Sequence, residues 1–335
     1  MTKVAVVILN WNGKKLLEKY LPSVIEHSQQ AQIIVADNAS TDDSIAFLKE
    51  NYPHIRIIQN KENLGFAQGY NQALSQVDAQ YYVLLNSDVE VTENWISGII
   101  DLMDKDPKIA CCQPKLMSFE NRDEFEYAGA AGGFIDYLGY PFCRGRVFNH
   151  LEQDKGQYDD VKEIFWATGA AMFVRASLYQ SFGGLDKDFF AHQEEIDLCW
   201  RLKNAGYKIF YYPHSVCYHL GGASLNKTSP FKTFLNFRNN LYLLYKNLPL
   251  HQQFKVLSIR FILDILAAFS FLFQGKAGEF KAVFRAYKAF FKNRNLIKAK
   301  RTLILKPNIK EIYPQSIVAN YYLKGKKKFS QLNFY

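Results

Sequence analysis

Between Val4 and Leu85, short β-branched apolar runs alternate with stretches of helical spacing. Residues 4–9, 33–36, 55–59 and 81–85 read as strands, and residues 16–27, 43–50 and 66–74 as helices. Ser40 and Thr41 stand where the second helix needs a cap. Apolar strands separated by helices predict an α/β domain with a mostly parallel central sheet and helices on both faces. Residues 120–160 break this rhythm. Their glycines, among them Gly129, Gly133 and Gly145, predict a loop or small excursion. Residues 165–174 return to strand character. Residues 187–219 run from an aromatic-rich loop into an amphipathic helix that opens on Glu194, Glu195 and Asp197, stops at Ala205-Gly206, and gives way to a strand ending near His219.

From about Pro230 the pattern is helical. Residues 231–246 carry leucines and aromatics at helical spacing around Arg238-Asn239-Asn240. Residues 256–273 are strongly apolar but interrupted by Arg260 and Asp264. A charge near the centre of a membrane helix costs roughly 2.5–3.5 kcal/mol. The longest uncharged piece, residues 265–273, falls well short of the roughly 20 residues that span a bilayer. A helix pressed on a membrane is therefore expected instead of a span. Residues 280–291 interleave Lys281, Arg285 and Lys288 with Phe280, Phe284, Tyr287, Phe290 and Phe291, an interfacial pattern. The chain thus divides into a body, residues 1–229, and a basic, aromatic-rich helical extension, residues 230–335.

Charge sharpens that division. The net charge is +9, yet residues 276–335 hold 15 Lys and Arg against only Glu279 and Glu311, so the rest is mildly acidic. A basic tail on an acidic body points to a polyanion at the tail alone, and its aromatics favour a membrane surface over nucleic acid. Five cysteines without a C-x-x-C pair suit a reducing compartment and argue against structural zinc. The first residues enter VAVVILN, a strand pattern unlike a signal peptide. A cytoplasmic protein, peripheral at the inner face of the membrane, is expected.

The polar motifs fall at strand ends, where open parallel sheets bind ligands. Asn10-Trp11-Asn12-Gly13 follows the first strand, Asp37-Asn38-Ala39-Ser40 the second, and Asn86-Ser87-Asp88 the fourth. Between the third strand and the next helix, Asn63-Leu64-Gly65-Phe66 leads on to Asn71. Glycine there lets backbone approach a ligand, and a helix start offers N–H groups to phosphate. A diphosphate needs Mg²⁺ or Mn²⁺, held by one or two carboxylates, to neutralise it. Asp88 is the candidate ligand. His219 is either a second one, favouring Mn²⁺, or a hydrogen-bonded strand end. Asp37 suits a pyrimidine ring N–H, and Trp11 suits the ring face. Glu194, Glu195 and Asp197 are candidates for general base. On a helix Glu194 and Asp197 share a face and Glu195 points elsewhere. The same acids also complement the helix dipole, and Asp197 can pair with Arg201.

Together these residues resemble the family-2 glycosyltransferases, particularly the bacterial rhamnosyltransferase-like branch of surface-polysaccharide synthesis. The matching pieces are VVILNWNG (6–13), VADNASTDDS (35–44), NLGFAQGYNQAL (63–74), LLNSDVEV (84–91), TGAAMFVR (168–175), FGGLDKDFF (182–190), EEIDLCWRLKNAGYKI (194–209) and YHLGGAS (218–224), in order over about two thirds of the chain. FRNNLYLLYKNLP (237–249) is similar to the family's C-terminal extension. The resemblance implies a GT-A fold, with a nucleotide-sugar half (1–118) and an acceptor and catalytic half (119–229). It implies a UDP- or dTDP-linked sugar donor, a divalent cation, inversion at the anomeric carbon, and a glycan or lipid-linked acceptor. By matching position Asp37 contacts the base, Asp88 holds the metal with His219, and Trp166, Thr168 and Gly169 lie on the acceptor side. The sequence departs from the pattern twice. The D-x-D-type motif is Asn86-Ser87-Asp88, with one carboxylate. The catalytic Glu-Asp pair is Glu194-Glu195, which puts the base on a side chain one methylene longer. That departure keeps a non-catalytic sugar-nucleotide binder as an alternative. A sugar nucleotidyltransferase wants a glycine-rich basic loop after the first strand, and a nicotinamide oxidoreductase wants G-x-G-x-x-G. The NWNGKK found there is neither.

Overall fold

The computed structural model describes residues 2–221, 229–301 and 308–334. Its centre is a nine-stranded sheet built from β1 (Thr2–Asn10), β2 (Gln32–Asp37), β3 (Arg56–Gln59), β4 (Ala79–Asn86), β5 (Val89–Val91) and β6 (Ile109–Ser118), with three later strands, β11 (Lys162–Ile164), β12 (Ala171–Arg175) and β13 (Lys208–His219). Across the sheet the order is β11-β13-β6-β12-β4-β1-β2-β3, and β5 lies against the end of β13. A second, five-stranded sheet takes β7 (Gly133–Asp136), β8 (Pro141–Cys143), β9 (Arg146–Val147), β10 (His150–Leu151) and β14 (Ile312–Tyr313). The helices are α1 (Lys14–His27), α2 (Ser44–Asn51), α3 (Gly65–Leu74), α4 (Ser97–Lys105), α5 (Ala176–Ser181), α6 (Glu194–Asn204), α7 (Pro230–Asn247), α8 (Leu250–Phe273), α9 (Ala277–Ala299) and α10 (Ile317–Tyr322).

The apolar run of β1 is explained by its two dry faces. Ala5 and Val7 enter one core cluster, and Val4, Val6 and Ile8 enter the other. β1, β2, β3 and β4 are parallel to one another, β6 is parallel to β13, and β12 runs antiparallel between β4 and β6. Asn10, Asp37, Asn86, Ser118 and His219 therefore end their strands at one edge of the sheet, and β12 begins there. The expected crevice is at this edge.

Three expectations change. Residues 120–160 form most of the second sheet instead of an irregular loop. Only Ala171–Arg175 of the expected 165–174 strand is extended in the sheet. Ser40 does not cap α2, whose N-cap is Asp43; the Ser40 hydroxyl accepts from the Asn12 N–H at 2.8 Å.

The division at residue 229 is not a seam. Leu241, Leu243 and Leu244 of α7 belong to the same core as Ile196, Leu198 and Leu202 of α6. The tail also returns to the body, where Tyr313, Phe329 and Phe334 pack against Phe134 and Phe142 at ring separations of 5.1–6.1 Å. The aromatic end of the tail is thus spent on internal packing. Gly222, Ala223 and Ser224 of the last matching motif lie outside the described residues.

Candidate active site

β5 explains how acids distant in sequence meet. It turns back after β4 and pairs antiparallel with β13, matching Val89 to His219. Asp88 is thereby set beside His219, with Oδ1 3.1 Å from Nε2. The Asn86 amide lies 3.4 Å from the same nitrogen. The other ring nitrogen, Nδ1, is 3.3 Å from Glu126 Oε1, an ion-pair distance without full hydrogen-bond geometry. Burial alone would lower the His219 pKa, but Glu126 and Asp88 override it and push it up to about 10. Burial likewise works to raise Asp88, and the imidazolium holds it below the usual carboxylate range. Ser87 is partly exposed in the turn between β4 and β5. Glu126 carries no spacing signal in the sequence, where it is one of a run of acids with Glu120, Asp123 and Glu124.

The donor set at this corner fits a divalent cation. It offers a carboxylate and, once His219 gives up the proton that Glu126 and Asp88 favour, an imidazole with a second carboxylate behind it to orient it. Among the described residues no three His, Cys, Asp or Glu side chains close around one cation position. Asp88 and His219 would therefore leave room for diphosphate oxygens, as Mg²⁺ and Mn²⁺ sites in nucleotide enzymes do.

The acids of α6 divide sharply. Asp197 is fully buried, with Arg201 Nε at 2.8 Å, Lys246 Nζ at 2.9 Å and the Asn247 amide at 2.8 Å. Despite burial its pKa is lowered, by Lys246 and Arg201. A carboxylate held ionised by two cations is a poor proton acceptor, so Asp197 serves as a structural anchor and not as the base. Glu194 and Glu195 each keep a buried carboxylate oxygen without a hydrogen-bond partner. Burial raises Glu195 to about 7, and burial together with Glu195 raises Glu194 well above the normal range. Glu195 is the partly exposed member of the pair. Its Cβ lies 4.0 Å from where a Cβ on Gly169 would sit, and that position is 3.2 Å from the Phe66 ring. Ala170, next to Gly169, accepts from the Asn86 N–H at 3.0 Å. A continuous run of contacts thus links Glu195 to the Asp88–His219 corner.

The loop before α6 is strained. Phe190, His192 and Gln193 have φ of 66°, 72° and 71°, unfavourable for residues other than glycine. α7 holds it there. The Asn239 amide reaches the carbonyls of Phe189, Ala191 and His192 at 3.0, 2.9 and 2.8 Å. Arg238 Nη2 donates to the carbonyls of Asp188 and Phe189 at 3.0 and 2.9 Å. The Gln193 side chain is tied to Asn236 and Asn240.

The sequence profile of glycosyl transferase family 2 matches residues 5–182. The chain belongs to glycosyl transferase family 2. It is a glycosyltransferase of the rhamnosyltransferase-like type with a GT-A fold. The N-acetylglucosaminyl-diphospho-decaprenol L-rhamnosyltransferase of Mycobacterium tuberculosis is 24% identical over 233 residues, covering 64% of this chain and 75% of the relative. The low-salt glycan biosynthesis hexosyltransferase Agl10 of Haloferax volcanii is 20% identical over 243 residues, covering 70% and 73%. Among solved structures, GalNAc-T7 with UDP, GalNAc and Mn²⁺ aligns with a TM-score of 0.58 at 17% identity, covering 73% of this chain and 48% of that one. The mannosyltransferase PcManGT of Pyrobaculum calidifontis, in complex with GDP-Man and Mn²⁺, aligns at 0.52 and 14%, covering 87% and 75%.

Within this family-2 frame, several expected ligand contacts turn out to be scaffolding. Asn38 donates to Asn63 and the Gly65 carbonyl and accepts from Asn60 and Leu64, which uses its whole amide. Asn71 is tied to Leu185 and Tyr179. The Asn12 side chain accepts from the Thr41 N–H at 2.7 Å. The start of α3 has no N–H groups left for phosphate, because those of Phe66 and Ala67 bond the Phe190 carbonyl and that of Gly65 bonds Asn63. Gly65, at φ 72°, also has no room for a Cβ, which would fall 2.5 Å from the Phe190 ring. Trp166 and Thr168 are each 3% exposed and donate to the carbonyls of Phe134 and Ala128, so neither faces an acceptor. Of that trio Gly169 alone adjoins Glu195. Asp37 is buried, accepting from Asn10 at 3.1 Å and the Ser40 N–H at 3.0 Å, while Asn10 keeps an unpaired Oδ1. Trp11 is 49% exposed just beyond β1.

Proposed function

We propose that this glycosyltransferase inverts the anomeric carbon as it moves a rhamnose-like deoxyhexose, a hexose or an N-acetylhexosamine from a UDP- or dTDP-linked donor to a hydroxyl of a glycan or lipid-linked saccharide. The reaction would take place at the cytoplasmic face of the membrane, in cell-surface polysaccharide synthesis. The observation that carries this reading is the buried Glu195 carboxylate oxygen without a hydrogen-bond partner, connected through Gly169 and Asn86 to Asp88 and His219. The M. tuberculosis relative is named for rhamnosyl transfer to a diphospho-decaprenol, and two fold neighbours were solved with UDP or GDP-Man and Mn²⁺.

Glu195 takes the proton of the acceptor hydroxyl. The freed oxygen attacks the anomeric carbon from the face opposite the diphosphate. The bond from that carbon to the diphosphate oxygen breaks, and nucleoside diphosphate leaves with the electron pair. Burial gives Glu195 a pKa matched to this task at neutral pH. A divalent cation held by Asp88 and His219 would supply charge neutralisation for the diphosphate. Trp11 and Asp37 would receive the base.

A thermal-shift screen of UDP-, dTDP- and GDP-sugars with Mn²⁺ or Mg²⁺, followed by turnover on lipid-linked acceptors, tests the reading. A true donor stabilises the fold by mass action, about 2.7 kcal/mol at a hundredfold excess over Kd. Asp88→Ala should remove the metal-dependent part of that shift. No stabilisation by any sugar nucleotide would overturn the assignment.

A further inference from the structure

The apolar helix α8 is long enough to cross a bilayer by length and composition, yet the two charged residues at its middle are committed to the protein. Arg260 and Asp264 are 2% and 1% exposed. Arg260 Nη2 meets Asp264 Oδ1 at 3.1 Å, Nη1 reaches the Leu138 carbonyl at 3.0 Å and also bonds Asn240, and the guanidinium lies 3.8 Å from the centre of the Tyr140 ring. Tyr287 of α9 donates to Asp264 at 2.9 Å. These contacts fasten one side of α8 to the body along its length. The opposite side is apolar and bare. Phe254, Ile262, Leu266 and Phe273 are 85%, 61%, 62% and 87% exposed, and Phe261 and Phe269 about half as much.

The bare side continues onto α9. Phe269 touches Phe280, which touches Phe284, and Phe261 touches Tyr287, which touches Phe291. Phe284 and Phe291 are 43% and 56% exposed. Lys281, Arg285, Lys288, Lys292 and Arg294 are exposed on the same helix, whose one acid, Glu279, is partly buried. An apolar strip rimmed by one sign of charge calls for a partner that is oily below and negative at its surface. A second copy of this chain would bring an identical basic rim against the first.

We infer that the joined outer faces of α8 and α9 are a seat for an anionic lipid bilayer, on which the protein rests without crossing it. The inference deepens the membrane-facing part of the proposed function, and it gives a reason for the apolar side of α8 that no internal contact supplies. The seat is also tied to the catalytic loop: Arg260 bonds Asn240, and Asn240 bonds Gln193, two residues before Glu195.

The test is co-sedimentation of the full chain with vesicles of phosphatidylcholine alone or mixed with phosphatidylglycerol, at low and high salt. Binding should need phosphatidylglycerol and weaken with salt. The triple change Phe254→Ser, Leu266→Ser, Phe273→Ser should weaken it at least about tenfold, and so should Lys288→Glu with Lys292→Glu, which leaves the apolar strip intact. Far-UV circular dichroism and the sugar-nucleotide thermal shift should be unchanged in both variants. The inference falls if the folded wild type ignores anionic vesicles, or if neither variant loses binding. It falls equally if the strip instead drives a concentration-dependent dimer that the serine variant abolishes. The vesicles contain no acceptor and the readout is not turnover, so failure of the glycosyltransferase reading would appear separately, as loss of the thermal shift.

Discussion

At the scale of single residues, burial decides which of three neighbouring acids does chemistry. Asp197 has the shorter side chain expected of a family base, but Lys246, Arg201 and Asn247 occupy it. Removing one partner from a buried ion pair costs about 3–5 kcal/mol. Asp197→Asn should therefore lower thermal stability by that order, as read in a denaturant melt. Glu195→Gln should leave the fold and donor binding in place while turnover falls about 10²–10⁴-fold. A base acts when ionised, so the rate should climb as pH rises through about 7 and flatten above it. The stability sign is the reverse. A carboxyl raised in the folded state contributes stability below its unfolded pKa, and that contribution is lost as pH rises through about 7. A rate profile flat between pH 5 and 8 would remove Glu195 from the role.

At the scale of elements, α7 is the working part that the sequence understated. Arg238-Asn239-Asn240 stands out in the pattern as polar residues inside an apolar helix, without a visible task. In the fold Asn239 grips three carbonyls of the left-handed loop that launches α6. Strain of this kind persists only where its surroundings over-determine it. Asn239→Ala should relax the loop and displace Glu195. A shift near 1 Å costs about a hundredfold in rate, so kcat should fall by that order while the donor-induced thermal shift is retained. A parallel loss of donor affinity would mean that α7 supports the whole site and not the base alone. The small second sheet shows the opposite failure of legibility. Glycines in residues 120–160 suggested irregular chain, whereas the short strand Gly133–Asp136 also gains order from a partner far away in sequence, β14.

At the scale of the whole molecule, the extension is part of the catalytic body. α7 shares a core with α6, the Lys246 ammonium neutralises Asp186 and Asp197, and the last aromatic residues close the second sheet. A chain cut after residue 229 should therefore fail to fold cooperatively, instead of behaving as a soluble enzyme without its membrane anchor. Loss of a sharp thermal transition, with exposed apolar surface reported by dye binding, would check this. A truncated chain that melts cooperatively and binds donor would show that α7 is dispensable.

Apolar period and strand-end motifs determined β1 to β4, their parallel sense, the crevice edge and the candidacy of Asp88, His219 and Glu195, because each depends on local spacing, whereas β6 and the antiparallel sense of β12 left no such mark. The tertiary structure decided which polar side chains are left free. Asn38, Asn71, Thr168, Trp166 and Asp197 looked available until distant segments bonded them, and Glu126 became relevant only when β13 carried His219 to it. A polar side chain is open to a ligand only where the fold leaves it without an internal partner, and those partners lie too far along the chain for any local pattern to announce them.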